Sequence, residues 1–196
     1  MWMGVLERLS GLVDARASYR PQHVAIALLR ARSEGVVTRG DLMESLGLGE
    51  ASARTLLRNL DLKGLTRPTA RGHVLTERGE ELADRLAARI SGPRAVEAGE
   101  YSLGERCCAV AVKGGSRLVR LGVEQRDEAI RAGATGAVTL VVRGDRLFMA
   151  GDGAAPQRLS EQLADLGLED GDAVVVVGAS TGHVAASAAM AVALSM

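Results

Sequence analysis

The chain is 196 residues long and carries 24 basic and 24 acidic side chains, a length that allows one large or two small domains. No stretch reaches the ~20 apolar residues that span a bilayer, and the start lacks the basic and apolar regions of a signal peptide, so no membrane partner and a cytoplasmic location are expected. Residues 1–95 hold 15 Lys and Arg against 11 Asp and Glu, whereas residues 96–196 hold 9 against 13. The first half is therefore the half suited to an anionic partner such as duplex DNA.

The first residues of the chain are predicted to form a helix. Apolar residues recur every three or four positions at Val5, Leu6, Leu9, Leu12 and Val13. A second helix is predicted over residues 23–32, after a break at residues 18–21. The leading helix suits dimer contacts and packing on its own domain equally well.

Residues 36–82 carry the pattern of a helix-turn-helix followed by a short β-wing. A first helix is predicted over residues 39–45, a tight turn at Gly47-Leu48-Gly49, and a second helix over residues 50–63 that Gly64 ends. The second helix gathers its apolar positions on one face, at Ala53, Leu56, Leu57 and Leu60. Such a two-helix unit places its second member in a DNA major groove.

The other face of that second helix is polar and basic. It presents hydroxyl, amide and guanidinium groups, which are donors that reach base edges and phosphates. The wing is predicted from strands over residues 65–67 and 73–76 around a turn at residues 68–72, with Arg71 at the tip, where it suits a minor groove or its phosphates. The predicted DNA-binding residues are Arg39, Ser52, Arg54, Thr55, Arg58, Asn59, Lys63, Arg67 and Arg71.

A last helix closes the first domain. Thr76, followed by Glu77, Glu80 and Glu81, has the pattern of a capping residue and an acidic first turn, and the helix is predicted to end at residue 90. The Ser-Gly-Pro run at residues 91–93 stops it. The sequence therefore predicts a winged helix-turn-helix domain over residues 1–92, a linker over residues 93–105 and a second domain over residues 106–196.

The second domain alternates strands and helices, so the predicted fold class is α+β, a winged helix-turn-helix joined to a small α/β domain. Strands are predicted over residues 107–112, 137–142, 146–150 and 173–177, and helices over residues 124–132, 159–166 and 183–195. The order βαββαβ plus one helix is that of a ferredoxin-like sheet with helices on one face.

Two glycine-rich joints of the second domain are candidate ligand sites. Gly178, Ser180 and Thr181 lie between an apolar strand and a helix, where amides and hydroxyls could hold an anion; helix capping by a hydroxyl is the alternative. A helix with Arg126 and Asp127 precedes the second joint, and could meet a small polar ligand or form only a solvated face. The candidate ligand-binding residues are Arg126, Asp127, Gly133, Gly136, Gly178, Ser180 and Thr181.

No catalytic or metal-binding set is evident. The spacing brings together no nucleophile with a base and no paired carboxylates, so an enzyme is not expected. The three histidines lie far apart, and the adjacent Cys107 and Cys108 point to opposite faces of a strand, so no metal and no cofactor are predicted.

Two runs carry a family resemblance. TRGDLMESLGLGEASARTLLRNLDLKGL with LTERGEEL, followed by GVEQRDEAIRAGATGAVTLVV, resembles an archaeal two-domain family in which a winged helix precedes a C-terminal domain of unknown function. The first run is shared by many winged-helix regulators, and the second is the narrower marker. The resemblance implies a transcriptional regulator and specifies neither ligand nor operator.

We therefore expect a homodimeric regulator of double-stranded DNA whose C-terminal domain dimerises or senses a small-molecule effector. Two alternatives remain open at this point: a winged helix that docks on proteins, and an enzyme regulated by its winged helix.

Overall fold

A computed structural model describes residues 2–14, 17–97, 101, 103–151 and 153–196. Contacts divide the chain into two units, Met1–Ala88 and Arg89–Met196. Within the described ranges lie eight α-helices and two antiparallel sheets, so the fold is mixed α+β, with a helical first unit and a five-stranded sheet in the second.

The first unit contains five helices and one hairpin. Their bounds are α1 (Trp2–Ser10), α2 (Pro21–Glu34), α3 (Arg39–Leu46), α4 (Glu50–Leu62), β1 (Thr66–Thr69), β2 (Gly72–Leu75) and α5 (Glu77–Ala87).

Local capping defines the start of α3 and the turn before α4. The Thr38 hydroxyl accepts a hydrogen bond from the Asp41 N–H at 3.2 Å, and the Asp41 carboxylate accepts one from the Thr38 N–H at 2.8 Å. Gly47 ends α3 at φ 63°, a left-handed conformation that favours glycine. The predicted buried face of α4 is confirmed, because Ala53, Leu56, Leu57 and Leu60 are all buried.

The hairpin is tied to the helices around it. Thr66 pairs with Leu75 and Thr69 with Gly72, which leaves Ala70 and Arg71 at the tip. The backbone of His73 also exchanges hydrogen bonds with Val37, at 2.8 and 2.9 Å, so a single antiparallel bridge joins β2 to the residue just before Thr38 and α3. The hairpin therefore has a defined position relative to α3.

The second unit is built on a five-stranded antiparallel sheet. Its strands are β3 (Ile90–Val96), β4 (Arg106–Val112), β5 (Gly136–Arg143), β6 (Arg146–Met149) and β7 (Ala173–Ala179), in the spatial order β3-β4-β7-β5-β6. Its helices are α6 (Val123–Arg131), α7 (Gln157–Leu163) and α8 (Gly182–Ser195).

Helices cover both faces of this sheet. Leu159 and Leu163 of α7 pack on the face that carries Ala109 and Val174. Alternate residues point the other way, and there Cys108 contacts Ala185 of α8. All seven residues of β7 are buried, as expected for a central strand whose two faces are both covered.

The ferredoxin-like prediction is wrong in topology. In a ferredoxin-like sheet, the first strand of the βαββαβ series lies between the fourth and the third. The four strands of the series are here β4, β5, β6 and β7, and the fourth, β7, lies between the first two, β4 and β5. The extra strand β3 forms the edge beside β4. The helices also lie on both faces instead of one. Element order along the chain does not determine which strands pair, because pairing depends on contacts between distant residues.

The start of the predicted linker is likewise corrected. Residues 93–96 belong to β3, which pairs with β4 through a register shift between Ser91 and Arg94. Pro93 lies within that shift on an edge strand, where a residue without an N–H is tolerated. The last helix of the first unit accordingly ends at Ala87, and Ile90 starts a strand.

Candidate functional site

A groove of about 430 Å³ lies between α4 and the hairpin. Its lining includes four arginines from three elements, with Arg39 at the start of α3, Arg54 and Arg58 on α4, and Arg71 at the hairpin tip. All four are exposed. Four of the nine predicted DNA-binding residues therefore meet at one place.

The charge of this groove is only partly compensated. Glu50 forms ion pairs with Arg39 at 3.3 Å and with Arg54 at 2.9 Å, so one carboxylate neutralises two guanidinium groups only in part. Within the described residues, Arg58 and Arg71 of the groove make no ion pair, and neither does Arg67 on β1. These three arginines are therefore the cations best placed to meet an external anion.

The net charge of the first unit is smaller than that of the first half of the sequence. Arg89 and Arg94 lie in the second unit, so residues 1–88 hold 13 Lys and Arg against 11 Asp and Glu. The basic character is thus a local property of the groove.

Two predicted base readers are engaged inside the unit. The Asn59 amide donates to the Tyr19 hydroxyl at 2.7 Å and to the Asp14 carboxylate at 3.1 Å, and Ser52 is hydrogen-bonded to Ser18. Burial, with the nearby Asp14 charge, raises the pKa of Tyr19 despite the hydrogen bond from Asn59. Asn59 and Ser52 therefore hold the chain before α2 against α4.

The other three predicted contacts lie outside the groove lining. Thr55 is exposed on α4, but its hydroxyl donates to the Ala51 carbonyl at 2.8 Å. Arg67 is exposed on β1, and Lys63 lines a different cavity at the end of α4. Thr55 and Arg67 remain accessible, whereas Lys63 belongs to another surface.

A polar cluster that the sequence did not single out joins the hairpin to α4. The Asp61 carboxylate accepts a hydrogen bond from the Thr66 hydroxyl and lies 3.0 Å from His73 Nδ1. Thr66 is on β1 and His73 on β2, so one residue of α4 contacts both strands. No sequence motif marks this set, because it depends on how the hairpin folds back onto α4.

In the second unit, the Gly178 joint is closely packed. The Gly178 carbonyl accepts from the Thr135 N–H at 2.8 Å, and a Cβ on Gly178 would lie 2.5 Å from the Leu103 Cβ. Thr181 caps α8 by accepting from the Val184 N–H at 3.4 Å, while Ser180 is exposed. These contacts favour the capping alternative over an anion-binding loop.

The residues of the second joint are spread over a helix, a turn and a strand. Arg126 and Asp127 are exposed on α6, Gly133 follows that helix at φ 100°, and Gly136 pairs with Gly178 between β5 and β7. In the described part of this unit, none of the four lines the cavity beside Cys107 or the cavity beside Arg146.

A cavity of this unit lies beside β4 instead. It measures about 580 Å³ and is lined by Cys107 and Cys108 of β4 and by Gly182 of α8, among others. Burial raises the pKa of Cys108 to about 12, so this thiol stays protonated. Among the described residues, no three His, Cys, Asp or Glu side chains come together as metal ligands. None of the described helices combines the length and the apolar composition that a membrane span requires.

The second unit is similar to a known family of domains. Residues 103–196 match a domain of unknown function, DUF4443, so the chain is a two-unit α+β protein that carries this domain at its C-terminal side. A search of curated proteins gives no significant match.

A solved structure then identifies the family. The hypothetical protein PH0730 from Pyrococcus horikoshii OT3 is 31% identical, with a TM-score of 0.74 over 90% of this chain and 91% of that one. At this identity and coverage, the chain belongs to the same family as PH0730.

Proposed function

We propose that residues 2–88 form a winged helix-turn-helix that binds double-stranded DNA, and that the chain is a transcriptional regulator. The observation that carries the proposal is the convergence of Arg39, Arg54, Arg58 and Arg71 on one groove. In this interpretation α3 and α4 are the helix-turn-helix and the β1–β2 hairpin is the wing.

The exposed side of α4 enters the major groove. Thr55 and Arg58 are exposed there, and the α4 face opposite to them is buried in the unit. Arg58 has no ion-pair partner among the described residues, so its guanidinium group is available for guanine or phosphate. Arg71 at the hairpin tip contacts the adjacent backbone or minor groove.

The test is fluorescence anisotropy with the full chain and labelled genomic fragments. We expect binding that weakens as the salt concentration rises. The complex with at least one fragment should also persist when excess random duplex is added as competitor. Absence of any salt-sensitive binding would refute the proposal. Recovery of a protein partner by the chain while DNA footprints remain empty would favour the protein-docking alternative instead.

We further propose that the second unit forms the homodimer. Val123, the first residue of α6, is 51% exposed, and Ile130, two turns along the same face, is 43% exposed. Leu121, two residues before the helix, is 69% exposed. Arg126 and Asp127 flank this apolar strip and make no ion pair within the described chain. An exposed apolar strip flanked by charges of both signs suits a self-complementary contact.

Sedimentation velocity measures this association. The Val123→Glu variant should shift the chain toward monomer, because a buried carboxylate would have no partner in the contact. Gly144→Glu is the control, because it adds the same charge at an exposed turn where an added Cβ would have no heavy atom within 4 Å. The φ of Gly144 is 61°, which favours glycine, so the thermal stability of this variant is measured as well. An unchanged sedimentation coefficient for Val123→Glu would exclude this face.

A further inference from the structure

A separate cavity of about 220 Å³ lies in the first unit, between the end of α1, the turn after α4, and α5. Its base is apolar, since Leu12, Leu65 and Leu82 line it and are 5%, 6% and 0% exposed. The groove between α4 and the hairpin has a different lining, so the two are distinct sites.

Three cations surround this apolar base. Arg8 comes from α1, Lys63 follows the last residue of α4, and Arg78 lies in the first turn of α5. All three are exposed, and none forms an ion pair within the part of the chain that the structure describes. Three like charges around one small cavity repel each other, and a bound anion would relieve that repulsion.

We propose that this cavity binds a small amphipathic carboxylate, with its apolar tail against the leucines and its carboxylate among Arg8, Lys63 and Arg78. The volume corresponds to about seven water-sized groups, which limits the ligand to a short chain. Arginine forks bind carboxylates through paired hydrogen bonds, which adds directional preference to the charge. The proposal does not depend on DNA binding.

Hexanoate is the probe, titrated calorimetrically into the full chain with the backbone amides followed by NMR. We expect saturable binding at one site, with the largest amide shifts at Gly11, Gly64 and Leu65. Acetate should bind more weakly by about fourfold for each methylene lost, because the tail occupies the apolar base. Hexanol, which has the tail without the charge, should bind at least about tenfold more weakly than hexanoate.

Variants assign the head group. Lys63→Gln and Arg78→Gln should each weaken hexanoate binding by about tenfold. Arg58→Gln, in the other groove, should leave it unchanged while impairing any DNA binding, so failure of the two proposals can be told apart. The site is refuted if hexanoate does not saturate, if acetate or inorganic phosphate binds as tightly, or if both cavity variants bind hexanoate like the parent chain.

Discussion

The salt dependence of the proposed DNA binding follows from the ion pairs of the groove and the wing. Arg39 and Arg54 share Glu50, whereas Arg58 and Arg71 of the groove, and Arg67 on β1, make no ion pair among the described residues. Each phosphate neutralised on duplex DNA contributes about −0.9 to the slope of log K against log salt. A dimer that uses all three in both protomers should therefore show a slope of about −5.

The Arg58→Ala variant tests this arithmetic. It removes two phosphate contacts from a dimer, so the slope should become about −4. If Arg58 instead reads a base, specific binding should weaken by about 1–3 kcal/mol while binding to random duplex changes little. The measurement is anisotropy on specific and random duplexes across a salt series.

Arg85→Ala is the matched control, because Arg85 is exposed on α5 and does not line the groove. Its slope and affinity should equal those of the parent chain. If Arg58→Ala matches the parent in both slope and affinity, then α4 does not present this face to DNA and the assignment of the groove is wrong.

Three further predictions concern folding and reactivity. Gly178→Ala should lower the free energy of unfolding by about 1–3 kcal/mol or more in denaturant titrations, because the methyl group would overlap Leu103; a neutral effect would show that the joint is open to ligands. Iodoacetamide should modify the half-buried Cys107 well before Cys108, whose thiol is buried with its pKa raised to about 12; mass spectrometry of the peptide would show the reverse order if β4 were wrongly placed. Although partial burial opposes it, hydrogen bonds from Thr38 and the charge of Arg30 hold the pKa of Asp41 below its usual 3.8, so Asp41 stabilises the fold above that pH. The stability difference between the parent chain and Asp41→Asn should therefore shrink as the pH falls through the native pKa, and a constant difference would contradict the capping role.

Local sequence patterns were sufficient to predict most of the helices and strands. The apolar period of α4 predicted its buried residues, and Thr76 was predicted to open α5, where its hydroxyl accepts from the Gly79 N–H at 3.2 Å. Both depend on residues within a few positions along the chain, so the sequence contains the whole interaction. The strand β3 was missed because Gly92 and Pro93 interrupt the alternation that marks a strand, and only pairing with β4 stabilises it.

The candidate site was only partly predictable for the same reason. Helical spacing assigned Arg54 and Arg58 to the outer part of α4, yet it could not show that Asn59 and Ser52, on the edge of that face, would be bound by Tyr19, Asp14 and Ser18. Those partners are more than 30 residues away in the sequence. A helical wheel describes one helix and contains no information on what packs beside it.

The sequence by itself determined where the helices and most strands form, which face of α4 is buried, and that the basic residues outnumber the acidic ones in the first half. The tertiary structure decided the strand order, the two-sided covering of the sheet, the gathering of four arginines in one groove and the three cations around the apolar cavity. Periodicity and capping act over one or two helical turns, whereas strand pairing and the sharing of a cavity bring together residues that the chain keeps far apart.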